Sequence, residues 1–287
     1  NRPCHHLEID GSTLDPSRHV DPRLLCWDGR AHWHTGVSPD QLGKPRGLDI
    51  TESRGWWGPD VEHWLYQTAF AAARLTGSPA IQAELSTQAN IYLLTCTTVP
   101  GWANSGWFAA RAVGWECIMA VNLWRQLEDR GLADRVRARC EDRIRLVFVP
   151  QLNPKPAGIW DVRTDDPRLG PGAWWIPWQQ GVGAYGIDLA GAVFGVADAR
   201  DLGYTAASAV LRDAWVKVGS RWQSQAQRPV AGATASDESF NLFGMPLAVA
   251  VVLSHDGSDA KARAIWQQIT TDATLTTQTS WLAPAIQ

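Results

Sequence analysis

The chain has 287 residues, 45% of them hydrophobic and 19% charged, with a formal net charge of -3. A chain of this length can bury a substantial core in one large domain or two ordinary ones. It has no basic stripe for phosphate backbones and no polybasic membrane patch. Its longest apolar runs, such as "MPLAVAVVL" at 245–253, fall well short of the roughly 20 residues a bilayer span needs, so neither a nucleic-acid nor a membrane partner is expected.

In chain order, residues 1–58 read as a small N-terminal β-hairpin and loop cap. Within it, "HHLEIDGSTLD" and "RLLCWDGRAHWH" each place Asp-Gly between extended flanks, the signal of a tight hairpin turn. The cap also gathers Cys4, His5, His6, Cys26, His32 and His34. No pair of these has the spacing of a zinc knuckle, so no metal and no cofactor is expected.

Residues 59–287 read as one helical domain. Short glycine-containing turns recur at 75–80, 128–134, 201–206 and 254–260, between stretches of helical periodicity, and mark four helix pairs. Turns this short make the paired helices antiparallel neighbours. At the first, Gly77 suits a left-handed helix end, Ser78 a cap and Pro79 the first helical position. The leading segments 107–130, 178–197 and 238–254 are apolar nearly all round, which predicts burial. The trailing segments 132–149, 205–222 and 259–272 carry one apolar stripe and one charged face, which predicts a surface position. Leading helices inside and trailing helices outside describe an all-α chain, an α/α toroid or an open arc of about four helical hairpins. Cys96, Cys117 and Cys140 fall in these apolar patterns as buried free thiols, and no disulfide framework is expected.

The connections 98–106, 150–177 and 223–237 all join a trailing helix to the next leading one, so they are expected at one rim. Ten of the seventeen tryptophans belong to the cap, these connections or the first residue of a leading helix: Trp27, Trp33, Trp56, Trp57, Trp102, Trp107, Trp160, Trp174, Trp175 and Trp178. Pro177 would start the third leading helix, and glycines 181, 183, 186 and 191 would let helices approach closely. An indole offers a flat apolar face and one N–H donor, which suits the C–H face and hydroxyl rim of a sugar. The same residues would equally plug the mouth of a wide barrel.

On hairpin order, on "WWGPDVEHW" before the first leading helix and on "WWIPWQQGVGAYG" at the third, residues 56–275 resemble the six-hairpin glycosidases and the related α/α-toroid polysaccharide lyases. Four hairpins are counted here where that family has six. The resemblance implies an oligo- or polysaccharide partner and catalytic groups in rim loops and at N-terminal ends of leading helices. It makes Asp60, His63, Asp161, Glu238 and Tyr185 catalytic candidates. Trp56, Trp57, Trp107, Arg111, Trp174, Trp175, Trp178 and Gln179 become substrate-binding candidates.

Asp60 and His63 share one face of a first turn, where either could act as acid or base, although acidic residues there also complement the helix dipole. Asp161, with Asp165 and Asp166 beside Arg163 and Arg168, could supply one carboxylate of a hydrolytic pair or form a self-satisfied loop. Glu238 and Asp237 have the same double reading. A lyase would use His63 or Tyr185 as base and Arg111 or Asn104 to neutralise a substrate carboxylate. No phosphate loop, dinucleotide fingerprint or nucleophile elbow is present. The rival expectation is a non-enzymatic subunit of a larger assembly, such as a phage particle, in which tryptophans form a subunit contact.

Overall fold

The structure is a computed structural model that describes residues 67–96, 98, 110–152, 156–160, 162–164, 173–225, 228–229 and 244–271. The expected cap at 1–58 lies outside the described residues. The described residues are mostly helical, with a few short strands. The chain divides into two compact units, one of Asn1–Gly106 with Trp115–Val147, the other of Trp107–Gly114 with Phe148–Gln287.

The first unit contains α1 (Gln67–Thr76), α2 (Pro79–Thr95), α3 (Ala110–Gln126) from Trp115 onward, and α4 (Arg130–Arg143). The alanine-rich α1 ends at Gly77, whose φ of 57° is the left-handed stop a glycine adopts without strain. Pro79 then opens α2 as expected. Ser78 holds the N-cap position with extended backbone, but its side chain makes no capping bond; instead its N–H donates to Thr76 Oγ1 at 3.2 Å. In this pair the expected order is reversed. The trailing α2 is the buried helix, through Leu85, Ala89, Ile91 and Tyr92, whereas α1 leaves Leu75 85% exposed.

Two side chains of this unit secure helix ends. Gln82 of α2 donates to Gln126 O at 3.0 Å and accepts from Glu128 N at 3.2 Å, which fixes the turn between α3 and α4. Arg139 of α4 donates to Leu93 O and Cys96 O, satisfying carbonyls at the end of α2. Asp129 caps α4 by accepting from Leu132 N at 3.0 Å. Leu132, Ala133, Val136, Cys140 and Arg143 form the buried stripe of α4, as expected of a trailing helix. The chain continues as a π-helical turn at Ile144–Phe148 and one α-turn at Val149–Leu152.

Inside this unit Arg143 meets Glu116 of α3 through two bonds, Nε to Oε1 at 2.5 Å and Nη2 to Oε2 at 2.7 Å, with both side chains 1% exposed. Burial alone would lower the guanidinium's pKa. The Glu116 carboxylate outweighs it by charge and hydrogen bond and holds Arg143 well above its ordinary value. Burial pushes the neighbouring Tyr92 hydroxyl up, and the nearby Cys140 adds to the rise.

The second unit is built on α5 (Pro177–Phe194), α6 (Ala197–Ala214), α7 (Met245–His255) and α8 (Ala260–Thr271). Helix α5 is buried on nearly every side, as its apolar sequence requires, and α7 is buried from Met245 to Ala248 and at Val249, Val251 and Val252. The trailing α6 and α8 each bury one stripe. Glycines let backbones touch: a Cβ at Gly186 would collide with Gly114 O, and one at Gly183 would lie 2.5 Å from Ala110 O.

The structure corrects two expectations in this unit. Residues 201–206 are not a turn but the interior of α6. Gly203 is there for packing, since a Cβ would come within 2.8 Å of Asp188 Cβ and 2.9 Å of Ala184 O. The turn between α5 and α6 lies earlier, at Gly195, with φ 75° and Val196 N–H bonded to Gly191 O at 2.9 Å. The trailing helix expected over 205–222 stops at Ala214. "WVKVGSRWQS" instead makes a hairpin, β3 (Trp215–Val218) with β4 (Arg221–Ser224), turning on Gly219 at φ 59°. On its other edge β4 is matched by a side chain: Trp222 N donates to Gln268 Oε1 at 2.7 Å, and Gln268 Nε2 donates to Trp222 O at 2.8 Å.

A second small sheet joins two of the long connections. In the 150–177 connection, β1 (Val162–Thr164) pairs antiparallel with β2 (Ala173–Trp175). The other edge of β2 takes β5 (Arg228–Pro229) from the 223–237 connection. These two connections therefore meet at the residues that feed α5.

Candidate functional site

Strand β2 runs directly into α5 through Trp174, Trp175, Ile176, Pro177 and Trp178. Alternation along the strand sends successive side chains to opposite faces, and burial follows it: Trp175 is 1% exposed, whereas Trp174 is half-buried. Pro177 opens the helix, its missing N–H being one that a first turn leaves unused. Trp178 follows, half-buried, with the guanidinium of Arg111 over its ring at 5.3 Å from the centroid. An arginine plane on an indole is a cation–π contact. Arg111 reaches it from the first turn of α3, the segment whose backbone touches α5 at Gly183 and Gly186.

Two residues beyond Trp178, the same helix carries a buried amide. Gln180 is fully buried: its Oε1 accepts from Trp160 N at 2.8 Å, and its Nε2 donates to Gly158 O and Ala206 O, each at 2.9 Å. That amide ties the 156–160 segment to α5 and α6, and the Trp160 side chain, 2% exposed, packs with it.

Of the expected binding residues, Arg111 and Trp178 come together at the start of α5, and Trp174 lies in the strand that leads into it. Trp175 and Gln179 lie in the same stretch but are buried, at 1% and 4% exposure. Tyr185 is half-buried about two helical turns further along α5. Asp60, His63, Asp161, Glu238, Trp56, Trp57 and Trp107 lie outside the described residues, as do the cap cysteines and histidines. Among the described residues no group of three His, Cys, Asp or Glu side chains is placed to hold a metal ion, and no helix is long and apolar enough to cross a membrane.

A second polar cluster was not anticipated. Asp188 of α5 accepts from Arg200 Nε of α6 at 2.9 Å, and its Oδ1 lies 2.7 Å from Nε2 of His255 at the end of α7. The ring of Tyr204 stacks on His255 with centroids 4.8 Å apart. Three helices thus converge on one carboxylate that is 11% exposed. The sequence does hold a signal for it: Asp188 is the only charged residue between Trp178 and Phe194, and a lone charge in a buried helix needs partners. His255 was read as part of a turn, which hid it.

No family model, curated protein or solved structure matches this chain.

Proposed function

We propose that this chain binds glycan, through an aromatic platform at the start of α5 formed by Trp174 and Trp178 with Arg111 beside them. The supporting observation is the half-exposed Trp178 indole with the Arg111 guanidinium over its ring, in the first turn of a buried helix. An indole face takes the C–H side of a sugar ring, and a guanidinium supplies donors for its hydroxyl or carboxylate oxygens. In this reading the helix pairs form an arc of an α/α toroid and the long connections converge at its rim. The meeting of two of them in the β1–β2–β5 sheet supports that arrangement. Cleavage would call on Asp60, His63, Asp161, Glu238 and Tyr185. Binding is the part of this reading that the contact between Arg111 and Trp178 supports.

The rival reading, a subunit of a larger assembly, draws support from Trp160 and Trp175, which are core side chains and offer no face to a sugar. One experiment separates the two. The chain is titrated by calorimetry against a panel of neutral and acidic polysaccharides, alongside Trp178→Ala and Trp174→Ala variants checked for folding. Glycan binding predicts at least one ligand, weakened about tenfold, or about 1.4 kcal/mol, by Trp178→Ala. Absence of binding across the panel, together with concentration-dependent association that the same substitutions abolish, would establish the assembly reading instead.

A further inference from the structure

Asp188, His255 and Arg200 close a triangle. Asp188 Oδ1 lies 2.7 Å from His255 Nε2 and 2.9 Å from Arg200 Nε, and Arg200 Nη2 lies 2.9 Å from the same His255 Nε2. All three sides are hydrogen-bond distances, yet they cannot all be bonds at once. A guanidinium only donates and an ionised carboxylate only accepts, so the outcome rests with the imidazole nitrogen between them. With a hydrogen on Nε2, the ring donates to Asp188 and turns that N–H against the N–H of Arg200. With Nε2 bare, the ring accepts from Arg200 and turns a lone pair against the carboxylate. One side is repulsive in either case, and the proton on the ring decides which.

The corners differ in how readily they can leave. The Arg200 side chain is 33% exposed, against 18% for His255 and 11% for Asp188. The ring of Tyr204 stacks on His255, at 21° between planes, and holds the imidazole in place. The groups that meet the ring are thus Asp188 from α5 and Arg200 and Tyr204 from α6. Among the described residues no charged side chain of α8, which also packs on α7, bonds to it. Asp198 and Asp201 of α6 are exposed, Asp256 accepts from Ser258 N at 2.9 Å, and Asp259 accepts from Ala262 N at 2.7 Å.

We infer that this triangle is a pH-sensitive exchange of partners: when His255 takes a second proton, the imidazolium claims Asp188 and the Arg200 guanidinium swings into solvent. In the neutral ring Nδ1 carries the hydrogen, Nε2 accepts from Arg200, and the same guanidinium donates to Asp188, so that α6 is tied to both α5 and α7. Nε2 then gains its proton from solvent. The charged ring has no lone pair left for Arg200 and repels it, and α7 alone holds the carboxylate of α5.

The test follows the unmodified full chain by proton–nitrogen NMR, with side-chain signals assigned through the backbone, from about pH 8 down to about pH 5, the interval in which histidine ordinarily changes charge. The Arg200 Nε–H signal should start displaced from the position of exposed arginines and shift to that position. The His255 ring nitrogens should move to imidazolium positions with the same midpoint. In His255→Gln, whose side chain gains no charge, the Arg200 signal should stay where it began; the titration of the unmodified chain stands even if that variant does not fold. An Arg200 signal that keeps its displaced position after His255 is charged overturns the inference, and so does a His255 ring that holds one protonation state throughout.

Discussion

A buried ion pair costs far more to break than to replace. Arg143→Met should destabilise the protein by about 3–5 kcal/mol in urea unfolding, because it strands the Glu116 carboxylate away from water. Adding Glu116→Leu should recover most of that loss, since two well-packed apolar side chains can substitute for a buried pair. The same interior dictates a pH response. The Cys117 thiol is held above its ordinary value of 9.0 and the Tyr92 hydroxyl above 10.0. Over that range the unfolded chain releases protons that the folded chain retains, so stability is full below about pH 8.5 and falls as pH rises. Melting curves from pH 7 to 10.5 should show this decline, and Cys117→Ala should flatten its first part. The sequence showed that these cysteines belong in apolar helices. It could not show the ion pair, because Glu116 and Arg143 are 27 positions apart and each, read alone, resembles a surface charge.

At the scale of elements, a glycine is read correctly only when its reason is known. Gly77 turns the chain and was legible from the Ser-Pro that follows it. Gly203 admits a neighbouring helix, which local sequence cannot distinguish from a turn, and that is why "DLGYTA" misled. The two kinds respond differently to a methyl group. Gly186→Ala, which meets the Gly114 carbonyl of another helix, should cost about 1–3 kcal/mol or more in chemical denaturation. Gly257→Ala, whose nearest neighbour would be 3.7 Å away, should stay within about 0.5 kcal/mol. The hairpin after α6 was misread for another reason. "WVKV" and "RWQS" alternate as strands do, but they continue a striped helix without a break and were absorbed into its period. The apolar leading segments α3, α5 and α7 were legible because a helix that is greasy on every side has few places to go.

For the molecule as a whole, burial ranks the elements by how readily they open. Amides in the middle of α5, walled by α6, α7 and the first turn of α3, should exchange with deuterated solvent more slowly than those of α1, which leaves Leu75 in water; exchange mass spectrometry would read this directly. Part of the candidate site was visible beforehand, because three tryptophans in five residues mark a place where surface is being built. Arg111 and Trp178 were both expected at the site, but neither their contact nor the Asp188 cluster was, since both arise where separate helices converge. The two bonds from Gln268 to Trp222 have a further consequence. A bare strand margin invites other copies to add on, and here one carboxamide occupies the exposed donor and acceptor as a visiting peptide would. Gln268→Ala would leave that donor and acceptor open to a neighbouring copy, and concentration-dependent association seen by light scattering would follow.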